Sequence, residues 1–342
     1  LIGPAHKASV CLDCHADNVQ PVDRGRRFQI SDGIGCEGCH GGAEKWIESH
    51  TDPSATHAQN IAKGLYPSEN PAHRATLCMS CHVGTTSKFA SHDIMGAGHP
   101  RLSFELDTFS IIQPQHYSID QDYTERKGKF QGARVWLNGQ IYVAGHWLRL
   151  VSSKLSEKKS AFPEVSLYDC HACHHGMDDL RGQSGLISKP GDIRLNDSSI
   201  QMAGILFEAL LPNQAAEWQA LSEELVVSAT NNLDRVSSVT KTMLALLSGL
   251  EGIAGNGVNA TQQKALFTAL LSKGRQPDFL DYTSCEQLAM GISVLSEYLE
   301  IANKIESQID RLYAALGEEN AFDSAKFVKA IDAVRGKWER IK

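Results

Sequence analysis

The chain has 342 residues, 42% of them hydrophobic, with 33 Lys and Arg against 40 Asp and Glu for a formal net charge of −7. That balance leaves no basic footprint for nucleic acid or for docking on an anionic membrane. No stretch approaches the roughly 20 apolar residues that cross a bilayer. The opening Leu1-Ile2-Gly3-Pro4 lacks the basic and apolar regions of a signal peptide, so the front of the chain reads as processed or trimmed.

Taken in chain order, four pentads share one pattern: Cys11-Leu12-Asp13-Cys14-His15, Cys36-Glu37-Gly38-Cys39-His40, Cys78-Met79-Ser80-Cys81-His82 and Cys170-His171-Ala172-Cys173-His174. With 9 Cys and 14 His in the chain, chance predicts about one such match in a hundred sequences of this kind. Zinc sites of the Cys-x-x-Cys type need no trailing histidine, and disulfide frameworks do not come as four tight tandem pairs. Cys-x-x-Cys-His is the pattern of covalent c-type haem attachment, in which the two thiols add across the porphyrin vinyls and the histidine becomes the proximal iron ligand. The pattern implies four covalent haems c, held through Cys11, Cys14, Cys36, Cys39, Cys78, Cys81, Cys170 and Cys173, with His15, His40, His82 and His174 as proximal ligands. Such attachment happens outside the cytoplasmic membrane, which implies export to the periplasm or beyond. Each ferric haem with its propionates adds about one negative charge, taking the loaded protein to about −11 and favouring redox partners with basic docking surfaces.

Ten histidines remain to supply the sixth ligand: His6, His50, His57, His73, His92, His99, His116, His146, His171 and His175. A second imidazole saturates the iron for electron carriage, whereas an open position admits a small molecule. His6 and His73 each stand five residues before an attachment cysteine, where they reach a neighbouring haem more readily than their own. His50 lies in the loop ending Thr51-Asp52-Pro53, and His99 in the turn Gly96-Ala97-Gly98-His99-Pro100. These four are the candidate distal ligands, with His92, His116 and His175 in reserve. With so many histidines, Met79, Met95 and Met177 are not needed as ligands.

Composition shifts near residue 190. All motifs and all histidines precede it, and Arg181 to Gly185 with Lys189-Pro190-Gly191-Asp192 carry linker residues. The expected organisation is a loop-rich tetrahaem domain over 1–190 and a haem-free helical bundle over 191–342, a mainly α fold. In the second half Leu288, Ile292, Leu295, Leu299, Ala302, Ile305, Ile309, Leu312 and Leu316 form one long apolar stripe that Gly317 ends. Further amphipathic segments bring the expected total to five or six helices. The ninth cysteine, Cys285, lies outside the motifs. Thr283-Ser284-Cys285-Glu286 has the form of a capping box, which places Cys285 in a first helical turn as a packed small residue rather than a reactive thiol.

Gly33-Ile34-Gly35-Cys36-Glu37-Gly38-Cys39-His40-Gly41 resembles the Gly-Val-Gly-Cys-Glu-x-Cys-His-Gly signature of the cytochrome c-554 type multihaem family, whose tetrahaem member carries electrons. Upstream, Cys11 to His15 matches another attachment motif. Downstream, His73-Arg74-Ala75-Thr76-Leu77-Cys78 matches the lead into the family's last motif, and His50 its distal ligand after the signature. The resemblance covers about residues 6–90. His92 to Leu102 and Tyr168 to His175 look like larger relatives that carry an added haem. Aligned on the signature, the first three motifs correspond to the family's second, third and fourth. The family histidine matching His50 therefore caps a haem with no counterpart here, and the haem of Cys11 and Cys14 corresponds to one with an open distal face. The resemblance implies an electron carrier with no bond-making chemistry. Two alternatives stand beside it: a redox enzyme acting on a small nitrogen, sulfur or oxygen species at the haem of His15, and a subunit of a conductive cytochrome assembly formed by homo-oligomerisation or haem sharing.

Overall fold

The computed structural model describes residues 3–114, 116–128, 132–156, 163–170, 173–174, 193–276, 279 and 281–342. Among them lie fifteen α-helices and no strand beyond one isolated bridge, a mainly α architecture. No helix among the described residues is long and apolar enough to cross a membrane.

The chain forms two compact units, Leu1–Leu102 with Gln115–Phe130, and Ser103–Pro114 with Gln131–Lys342. The first unit contains short helices: α1 (Ser9–His15), α2 (Cys36–His40), α3 (His57–Ala62), α4 (Pro71–His82), α5 (His92–Gly96) and α7 (Gln121–Lys127). Local caps start them. Thr56 and Gln59 close a capping box on α3, and Asn70 accepts from the Ala72 amide with Pro71 at the first helical position of α4.

The second unit holds α6 (Leu106–Ile112), α8 (Gly132–Ser156), α9 (Ser198–Leu210), α10 (Pro212–Asn231), α11 (Leu233–Asn256), α12 (Ala260–Lys273), α13 (Tyr282–Tyr298), α14 (Ala302–Leu316) and α15 (Ser324–Ile341). Helix α8 packs along α11 and touches α6, α9 and α13, while α10 pairs with α9 and α11, and α14 with α15. The core is large and aromatic: Phe207 stacks on Trp218 at 4.7 Å and Phe267 meets Trp338 edge-on at 4.9 Å. The Trp218 indole also donates to the Ile200 carbonyl at 3.1 Å, which satisfies its one polar atom.

The boundary drawn by these contacts is not the one near residue 190. Residues 132–156 are apolar on most of their circumference and bury Trp136, Leu137, Ile141, Leu148 and Val151 within the helical unit, so this unit begins well before the composition shift. The linker-like residues 181–192 lie outside those described. After residue 190 there are seven α-helices among the described residues, rather than five or six.

The single stripe from Leu288 to Leu316 is broken into α13 and α14. Glu300 takes a left-handed φ of 57°, the Glu300 amide donates to Glu297, and the Ile301 amide donates to Ser296 at 2.9 Å. This is a Schellman closure made without glycine, which leaves no residue-type signal at the break. Helix α13 is capped by Asp281, whose side chain accepts from the Ser284 amide at 2.8 Å, not by Thr283. Cys285 therefore sits past the first turn, fully buried, and burial pushes its thiol well up. It is a packing residue.

Candidate functional site

Each of the first three pentads occupies the last turns of a helix: α1 ends at His15, α2 is the pentad itself, and α4 ends at His82. Residues spaced i, i+3 and i+4 share one helix face, so both thiols and the imidazole of each pentad project to the same side. At the fourth pentad, whose residues 171 and 172 lie outside those described, the His174 amide donates to the Cys170 carbonyl at 2.7 Å and the Cys173 amide to the same carbonyl at 3.2 Å. None of the nine cysteines forms a disulfide, and no cluster of three or more His, Cys, Asp or Glu with metal-holding geometry occurs among the described residues.

Glycine makes the second pentad possible. A Cβ on Gly35 would lie 2.6 Å from an Asp17 carboxylate oxygen, and one on Gly38 2.8 Å from the other. The Gly35 amide donates to that carboxylate at 2.9 Å. Gly41 leaves the turn at φ 75°, ψ 164°, a region essentially closed to side-chain-bearing residues, and a Cβ there would meet the Gly64 carbonyl at 2.8 Å.

The first and third pentads adjoin. The Cys14 and Cys81 side chains lie close enough to perturb each other, and Lys88 donates to Cys81 Sγ at 3.1 Å. The Cys14 contact and Lys88 hold the Cys81 thiol down at about 5, while the same contact pushes the Cys14 thiol up. Cys39 and Cys78 are raised, both by burial, Cys39 further by Asp17 and Cys78 to about 11.

The histidines fall into groups. His99 lies beside His15 with ring centroids 6.1 Å apart and planes tilted by 59°, and His116 meets His40 edge-on at 5.7 Å. Each pair would bring two imidazoles within reach of one haem iron, which would supply the one-electron chemistry. His99 Nδ1 is engaged with the Pro100 carbonyl at 2.6 Å, and His50 Nδ1 with the Ile47 carbonyl. Such a contact turns Nε2 outward as the ligating atom. His50 meets the Trp46 ring edge-on and His73 the Tyr66 ring; neither is brought against one of the proximal rings in this way. His6 lies exposed on a short 3-10 turn at Ala5–Lys7, and His92 opens α5, also exposed. His57 pairs with Glu69 at 2.9 Å, and His146 lies on α8. His171 and His175 lie outside the described residues. His116, a reserve by sequence, thus has the more ligand-like placement, while His6 and His73 show no such pairing.

The fourth pentad is anchored within the helical unit. Tyr168 bridges to Leu195, the Asp169 amide donates to the Arg194 carbonyl at 2.8 Å, and the Tyr168 hydroxyl to the Ala229 carbonyl at 2.9 Å. Beneath this bridge Arg194, nearly buried, donates to Asp197 at 2.5 Å and to Asp281 at 3.3 Å. Burial works against the Arg194 cation, but the two carboxylates more than restore it. Sequence reading gave no sign of this network, nor of Asp17 and Lys88, because their roles arise from contacts distant along the chain.

The residues present fit haem. In the first unit, Ala16, Trp46, Pro71, Ala75, Met79 and Ile94 are the only buried apolar residues among those described. More than a hundred residues folded around six buried apolar side chains lack an interior of their own, which porphyrins would supply. Two buried donors, Trp46 Nε1 and Arg74 Nη1, have no protein partner and suit propionate oxygens.

The comparisons agree with this class. A family model described as cytochrome c554 and c-prime matches residues 3–41. The C-type polyheme cytochrome OmcC of Geobacter sulfurreducens is 32% identical over 104 residues, a match covering 26% of this chain and 12% of the relative. No solved structure matches. Together these matches support a multihaem c-type cytochrome family. Within it, the part of the chain that carries the first two pentads is the part that the c554 and c-prime description covers, and the class implies covalent haem c and electron transfer.

Proposed function

We propose that the chain carries four covalent haems c and passes electrons between exported redox proteins, without bond-making chemistry of its own. The haem groups supply the one-electron chemistry. Cys11, Cys14, Cys36, Cys39, Cys78, Cys81, Cys170 and Cys173 tether them, and His15, His40, His82 and His174 serve as proximal ligands. The carrying observation is the 6.1 Å spacing of His15 and His99. It offers an imidazole to the haem whose counterpart in the resembled family is open, which favours carriage over catalysis. His116 fills the same role for His40. His50 keeps a ligand-like Nδ1 contact, and His6 and His73 are the remaining candidates for the other irons. The acidic net charge favours partners with basic faces.

Electron paramagnetic resonance of the oxidised protein tests the reading, with low-spin signals expected from the haems of His15 and His40. Tight, fast binding of nitric oxide or cyanide with turnover of a small substrate would replace the carrier by a redox enzyme. An intact mass with fewer than four haems would overturn the count.

A further inference from the structure

Two charges of opposite sign sit at different attachment sites of the first unit. Lys88 follows the third pentad by six residues. The loop between is tight: Gly84 takes φ 106°, the Thr85 amide donates to the Lys88 carbonyl at 2.6 Å, and the Lys88 amide donates to Thr85 Oγ1 at 3.2 Å. The loop turns the ammonium back onto Cys81 Sγ at 3.1 Å and onto the carbonyl of Asp13, inside the first pentad, at 3.0 Å. Haem is tethered through its vinyl edge, and the propionates leave from the opposite edge, so a cation at the tethering sulfurs is not neutralised by the propionates of those same haems. The Asp13 carboxylate is exposed and bonded to Asn18, where water screens it. Asp17 stands at the second pentad instead, its carboxylate packed against Gly35 and Gly38 on either side of Cys36.

On the reading that these pentads carry haems, we propose that Lys88 and Asp17 are the residues that set the order of reduction: Lys88 raises the potentials of the haems on Cys11/Cys14 and Cys78/Cys81, and Asp17 lowers that of the haem on Cys36/Cys39. A fixed cation stabilises the iron that has gained an electron, and a fixed anion the iron that has lost one. Electrons entering this unit therefore collect on the adjoining pair, and the haem of the second pentad is reduced last. Both residues act through the haems, as positioning charges, without touching iron.

The test is a spectroelectrochemical titration of the haem-loaded protein and of Lys88→Gln, Lys88→Arg and Asp17→Asn, with haem load read by intact mass. Lys88→Gln should raise the ferric-to-ferrous ratio at fixed potential about two- to tenfold in two haems, Asp17→Asn should lower it in one, and Lys88→Arg should leave it unchanged. A full haem load with potentials unmoved, or moved with the same sign in both variants, overturns the proposal. Should Lys88→Gln lose a haem, the Asp17→Asn shift decides alone: upward in potential for the proposal, absent or downward against it. A wild-type protein without covalent haem overturns the underlying multihaem reading instead.

Discussion

Replacing Arg194 by Met removes the cation from a site where two carboxylates converge. Arg194 is 4% exposed, Asp197 2% and Asp281 15%. Deleting one partner of a buried pair leaves uncompensated charge and costs about 3–5 kcal/mol. Asp281 also caps α13, and Asp197 holds Gln201 at 3.2 Å, so the loss reaches both helices. In a unit of this size each kcal/mol lowers the melting temperature by about 2–4 °C, which predicts a drop of about 6–20 °C. The control is Arg235→Gln, which breaks an ion pair to Glu224 whose partners are 54% and 36% exposed. That pair contributes about 0–1 kcal/mol, hence less than about 4 °C. Thermal melting of both variants by circular dichroism at 222 nm makes the comparison. Equal small shifts would refute the argument that the buried network holds this end of the helical unit.

His99→Ala and His116→Ala should each convert one haem to a high-spin signal in electron paramagnetic resonance, whereas His57→Ala, whose ring is paired with Glu69, should not. Gly41→Ala forces a side chain into a φ of 75° against the Gly64 carbonyl; a loss of about 1–3 kcal/mol is expected, read as a lower temperature for the Soret transition. A fragment of residues 103–342 should be helical and monodisperse. One of 193–342, which lacks α8 and exposes its partners on α9, α11 and α13, should aggregate. Cys78→Ala should lower the intact mass by one haem or yield a misfolded protein.

The four Cys-x-x-Cys-His pentads were legible because five consecutive residues carry the whole pattern, with no tertiary information needed. The helical second half was legible from periodicity. What escaped the sequence depends on distant partners. Residues 132–156 read as part of a haem domain by position, yet their apolar surface belongs with α11, a partner a hundred residues on. The turn at Glu300 lacked the glycine that announces most such closures. His99 and His116 both lie in irregular segments, and only the fold decides which proximal ring each one meets. The fourth pentad shares a composition with the other three but leans on Leu195 and Arg194, beyond the expected boundary.

The scarcity of buried side chains in the first unit bears on quality control in the cell. A chain that misses a haem there has no alternative apolar centre to collapse upon, so the failure leaves an open, cleavable segment rather than a native-looking but inactive protein. The helical unit, with its own aromatic core, persists through such an event. On the haem-bearing reading, a protease discriminates loaded from unloaded molecules by the backbone of one half alone, without any receptor for the cofactor.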